Sequence, residues 1–116
     1  MTEYFSAMRN IPVDLIPAGT SATGAGTPIT IPPSFNRHKI AIITSAGVAS
    51  GAVQPESAGD PAYAGTWNPV GGSPITVPAA SSTLEYQFEG RFNSIRANIS
   101  TIIGGGTIQV TYTGTP

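Results

Sequence analysis

The sequence predicts an all-β protein, a small antiparallel β-sandwich, and three observations carry that reading. β-Branched residues dominate, with 13 Ile, 14 Thr and 6 Val against 2 Leu, a vocabulary that suits pleated strands and leaves the best apolar helix former nearly missing. The chain also holds 14 Gly and 11 Pro, and these fall between the apolar runs, where they punctuate turns. Finally, several runs alternate apolar and polar residues with period two, the mark of a strand with one buried face. At 116 residues the chain makes one domain, able to bury roughly two-thirds of its unfolded surface without a disulfide or metal staple.

Taken in order, strand candidates lie at 12–16, 28–31, 37–44, 51–56, 62–67, 74–77, 84–89, 93–101 and 107–113. Many short runs with frequent turns suit a sandwich, either jelly-roll-like or immunoglobulin-like in strand order. The segment 28–31 sits inside Thr27-Pro-Ile-Thr-Ile-Pro32, and 74–77 inside the nearly identical Ser73-Pro-Ile-Thr-Val-Pro78, 46 residues later. Proline at both ends fits a short edge strand, since proline has no N–H for a ladder. The pair is either an internal duplication or two edge strands of convergent composition. Ile40 to Ile43 is apolar on both faces, which predicts a central strand or one covered by a neighbouring subunit.

Leu84, Tyr86 and Phe88 alternate with Glu85, Gln87 and Glu89, so one row faces the core and the other faces solvent or a partner. Ile95, Ala97 and Ile99 alternate with Ser94, Arg96 and Asn98, and Ile108, Val110 and Tyr112 alternate with polar residues. Gly104, Gly105 and Gly106 separate these two runs, which predicts a hairpin with one buried face. Between the first two candidates, 18–27 is rich in Gly, Ser, Thr and Ala and reads as a flexible loop. Residues 1–10 carry Tyr4, Phe5 and Met8 without alternation, so this terminus is expected either to dock on another chain as an extended arm or to pack as a terminal strand.

Charge excludes further classes. Five Lys and Arg against six Asp and Glu leave a net charge of -1, far from the basic footprint that nucleic acid demands. No apolar run approaches the about 20 residues of a membrane-spanning helix, and an acid at Glu3 replaces the basic start of a secretory signal, so neither membrane nor export is expected and synthesis in the cytoplasm is. Cysteine is absent, which removes thiol nucleophiles and thiolate metal sites.

Candidate chemistry is sparse. His38 is the one histidine, set between Arg37 and Lys39, whose charges disfavour its protonated form, and no Gly-x-Ser-x-Gly elbow accompanies it. Glu85 and Glu89 share a strand face but stand about 13 Å apart along it, too far for either glycosidase mechanism. Pairing with Arg91 or Arg96 suits them better. Glu56 and Asp60 flank a loop and could share a surface calcium, although no regular calcium-binding motif occurs. Expected catalytic, cofactor and metal sites are therefore none. Tyr63 and Trp67 lie close in sequence and either stack on a sugar ring or, for Trp67, fill the core.

Phe92-Asn-Ser-Ile-Arg-Ala-Asn-Ile-Ser-Thr-Ile-Ile-Gly-Gly-Gly-Thr-Ile-Gln-Val-Thr-Tyr-Thr-Gly resembles the closing hairpin of small β-sandwich virion proteins of tailed bacteriophages. Tyr63-Ala-Gly-Thr-Trp67 and Phe88-Glu-Gly-Arg-Phe92 are similar to segments of the same group, and the likeness covers about 40–114. The resemblance implies a non-enzymatic capsid decoration or cement protein on the virion surface, frequently a homotrimer, that binds the major capsid protein and stabilises the shell. In that role Tyr4, Phe5 and Met8 would form the partner-binding arm, and Arg96 would be structural. The alternative is a tail or head-fibre module that binds a host-surface glycan through Tyr63 and Trp67.

Overall fold

Among the described residues, alternating β-branched and polar residues give ten strands and no helix. The computed structural model describes residues 12–116, so the proposed arm with Tyr4, Phe5 and Met8 lies outside the described residues. The strands are β1 (Val13–Thr20), β2 (Gly24–Ala25), β3 (Ile29–Thr30), β4 (Arg37–Thr44), β5 (Ser50–Ala58), β6 (Asn68–Pro69), β7 (Ile75–Thr76), β8 (Thr83–Glu89), β9 (Ser94–Gly104) and β10 (Ile108–Thr115). They form two antiparallel sheets. Sheet I has the order β1-β10-β4-β8, while sheet II has β9 and β5 at its centre, with β2 and β3 along one edge and β6 and β7 along the other.

When β2 with β3, and β6 with β7, are each taken as one interrupted strand, eight strands remain. The first pairs with the eighth, the second with the seventh, the third with the sixth and the fourth with the fifth. That nesting is the jelly-roll order, a long antiparallel ribbon rolled into two layers. It excludes the immunoglobulin-like alternative, in which the first strand neighbours the second in one sheet.

Each long strand turns one row inward. Leu15, Ile16, Ile40, Ile42, Ile108 and Val110 from sheet I meet Val53, Ile95, Ala97 and Ile99 from sheet II, all essentially without solvent contact. β4 is central in sheet I, as its doubly apolar sequence predicts: Ile40 and Ile42 are buried, and Ala41 and Ile43 are half-covered on the outer face. The two hexapeptides behave alike. Each contributes a two-residue strand to opposite edges of sheet II, and the Ile31 N–H donates to Asn93 O as the Val77 N–H donates to Gly51 O. Their partners are exchanged, because β3 precedes β4 and pairs β9, whereas β7 precedes β8 and pairs β5. β4 pairs β8 and β5 pairs β9, so the segments from β3 to β5 and from β7 to β9 are equivalent under a two-fold exchange.

Three sequence expectations are corrected. The runs 93–101 and 107–113 do not form a hairpin: β9 lies in sheet II and β10 in sheet I, and each already has neighbours on both edges. Their buried faces are as predicted, because both line the same core from opposite sides. The segment 62–67 is not a strand but part of a folded loop, in which Tyr63 N–H donates to Asp60 O and Ala62 N–H to the Asp60 carboxylate. Finally, 18–27 is not all loop. β1 runs on to Thr20 and β2 occupies Gly24–Ala25, small residues whose pairing with Ile99 and Asn98 leaves no side-chain pattern in the sequence.

The triglycine segment carries the chain between layers. There the 45–49 and 104–106 loops touch backbone to backbone: Ala49 N–H donates to Gly104 O, and Ser45 exchanges bonds with Thr107. A Cβ on Gly105 would stand 2.2 Å from Gly47 O, at a φ of +86°. Gly72 has nearly the same φ, +88°, with open space around it. Gly72→Ala should therefore cost about 1–2 kcal/mol from backbone strain alone. Gly105→Ala should cost roughly 2–4 kcal/mol, since the loops must also separate. Denaturant melts of the two variants check the difference.

Candidate functional site

An open groove of about 810 Å³ lies across the ends of β10, β4 and β8. Strand alternation lines it: Arg37 and Lys39 from β4, Gln87 and Glu89 from β8, and Thr113 and Thr115 from β10 all point away from the core. Register places Thr115, Arg37 and Glu89 in one row and Thr113, Lys39 and Gln87 in the next. Lys39 Nζ stands 3.3 Å from Glu85 Oε2, an exposed pair of small energetic value. The result is a shallow polar surface of mixed charge. It suits contact with a protein or polar ligand and does not enclose a reacting group away from water.

His38 points the other way, into the core end beneath this groove. Its Nε2 is 2.7 Å from Gly90 O, which can only accept, so Nε2 carries the proton. Nδ1, 2.6 Å from Tyr112 Oη, then accepts the phenol's hydrogen. Phe88 stacks on the imidazole at 5.0 Å and Phe92 meets it edge-on at 5.3 Å. Burial lowers the His38 pKa, with the Gly90 bond opposing, and burial likewise pushes Tyr112 up. Both ring nitrogens are thus engaged in a neutral bridge tying β4, β10 and the β8–β9 turn. The sequence signalled an isolated histidine but not this partner, since Tyr112 lies 74 residues away.

Tyr63 and Trp67 separate in exposure. Tyr63 is half-exposed, whereas Trp67 retains 3% of its surface. The indole Nε1 donates to Tyr63 O at 3.0 Å, and the Arg96 guanidinium lies 4.3 Å from the ring centroid. Arg96 in turn donates through Nε to Glu56 Oε1 at 2.8 Å. Trp67 therefore folds the 59–67 loop onto the outer face of sheet II and offers no open ring face for a sugar. This also corrects the expected ion pairing: Glu85 pairs Lys39, and Arg96 pairs Glu56 across the β5–β9 register instead of Glu85 or Glu89. With Glu56 held by Arg96 and Asp60 accepting from Ala62 N–H, the suggested calcium pair is divided between two other tasks. Among the described residues, no three of His, Asp and Glu gather into a metal-binding group.

Comparison with known proteins adds no relative: no family model, no curated protein and no solved structure matches this chain.

The His38 bridge has a pH signature. Unfolded imidazole takes up a proton below about its ordinary value of 6.5, while the folded ring, with its lowered pKa, resists it. Stability should be level with respect to this group above that value and fall as the pH drops below it, before the carboxylates titrate. His38→Phe should flatten that slope and cost about 1–3 kcal/mol at pH 8, since Tyr112 Oη and Gly90 O lose their partner. Calorimetric melts from pH 8 to about pH 5 measure both effects.

Proposed function

We propose that this chain is a non-enzymatic structural protein of a virus particle, a decoration or cement protein that lies on the major capsid protein and stabilises the shell. The observation that carries the reading is the commitment, among the described residues, of the buried titratable and aromatic groups to the fold itself. His38 bridges Tyr112 and Gly90, Trp67 and Arg96 pin a loop, Glu56 holds Arg96, and no buried side-chain nitrogen or oxygen among the described residues lacks a partner. Such a molecule acts through the surface it presents. The chain is low in charge, with 9% charged residues, and charge is depleted at the cores of protein interfaces.

The jelly-roll order supports the reading weakly, since viral capsid and lectin domains both use it. The virion assignment itself comes from the resemblance of the 40–114 region to phage sandwich proteins. Cementing needs no special residue: many symmetric copies, each of modest affinity, add up to large avidity across a lattice. The glycan alternative draws less support, because Trp67 is enclosed and Tyr63 alone remains as a stacking surface.

Sedimentation of native particles through a density gradient tests the proposal, with mass spectrometry to count copies. The chain should travel with the shell in numbers comparable to the major capsid protein. A handful of copies per particle would move it to the tail or fibre, and free chain at the top of the gradient would overturn the virion reading.

A further inference from the structure

The four sheet edges are not alike. β1 carries Pro17 and two breaks in its register with β10. The edge strands of sheet II are two residues long, and prolines flank or occupy them at 28, 32, 69, 74 and 78. Short length, proline and irregular register all discourage pairing with another chain. β8 has none of them. It runs seven residues without Pro or Gly, in unbroken register with β4.

The hydrogen-bond phase of that edge can be read from its ends. Thr44 N–H donates to Ser82 O and Gly90 N–H donates to Asn36 O, so the even-numbered residues of the β4–β8 ladder exchange the bonds. Leu84, Tyr86 and Phe88 therefore direct their backbone groups at β4. Thr83, Glu85, Gln87 and Glu89 direct their N–H and C=O at the other edge, where no strand pairs among the described residues. Beside them, the inward row of Leu84, Tyr86 and Phe88 is left half-covered.

We propose that a second copy of this chain docks here: two β8 strands pair antiparallel about a two-fold axis at Tyr86, joining sheet I of both molecules into one continuous sheet. The sequence of β8 is self-complementary in that register. Tyr86 meets its own counterpart, Leu84 faces the partner's Phe88, Glu85 faces the partner's Gln87, and Thr83 faces the partner's Glu89. The open-edge groups of the four odd-numbered residues then all find partners. Sliding by two residues in one direction sets Glu85 against the partner's Glu85, and in the other sets Glu85 against the partner's Glu89, so like charge opposes both neighbouring registers. The internal exchange symmetry points the same way: β8 is the counterpart of β4, which is paired on both sides. This contact goes beyond the capsid reading and does not rest on it.

Sedimentation velocity of the full chain, at concentrations up to about 1 mM, is the test. The chain should form a dimer or another even-numbered assembly. Gln87→Pro removes an N–H that β4 does not use, at a position already extended, and should give a monomer with unchanged circular dichroism. Gln87→Glu, which sets two carboxylates opposite each other at both symmetric positions, should weaken association about tenfold, and Gln87→Lys should strengthen it. The charge pair decides the matter if the proline variant fails to fold. A monomer at every concentration, an odd-numbered oligomer, or association insensitive to these substitutions would overturn the proposal. So would loss of association on deleting residues 1–10, which would make the terminal segment the occupant of the edge.

Discussion

Everything in this domain depends on one apolar layer shared by two sheets. Face-to-face sheets stand about 10 Å apart, filled from both sides by a single row of side chains per strand. Ile and Val fill that layer well, because their branched side chains are stiff and stand clear of a pleated backbone. The constraint reaches the loops. Since the chain repeatedly changes sheets, its connections arch over the ends of the layer, where the 45–49 and 104–106 loops approach closely enough to exclude a Cβ at Gly105.

Polar groups follow from the same layer. A side chain that enters it must bring its own partner, and His38, Tyr112 and Thr44 all do so. A second, smaller apolar site lies outside the core, where Trp67 and Val70 are buried but are not members of the central cluster. Gln54 donates to Val70 O and Arg96 covers Trp67, so the loop after β5 is fastened to the outer face of sheet II. That face is thereby partly closed. On sheet I the groove and the β8 edge are left uncovered among the described residues.

Much of the strand content was legible in the sequence because period-two alternation reports a strand's burial directly. β4 matches its predicted span, and β8 differs by one residue. Short edge strands were legible where proline bracketed them, as in β3 and β7, and not where they consist of Gly and Ala, as in β2. Alternation also misled at 62–67, where Tyr63 and Trp67 are spaced for a helical or looped contact between Trp67 Nε1 and Tyr63 O. Of the candidate site, the isolation of His38 was visible and its bridge was not. The Arg96 pairing was expected in kind but assigned to the wrong acid, because the correct one, Glu56, lies 40 residues away on a different strand.

Composition and periodicity by themselves determined an all-β domain, the inward face of most long strands, the proline-guarded edges and the scarcity of catalytic groups. These are properties of single segments, set by side-chain volume, branching and charge. Tertiary structure alone decided which strands are neighbours, that β9 and β10 line opposite walls of the core, that Trp67 faces Arg96, and that β8 is the regular strand left unpaired on one side among the described residues. Each of those is a relation between segments far apart in the chain. An alternating strand specifies that it has a buried face, but many strands can supply the opposite wall, and only the packing of all of them together selects one arrangement.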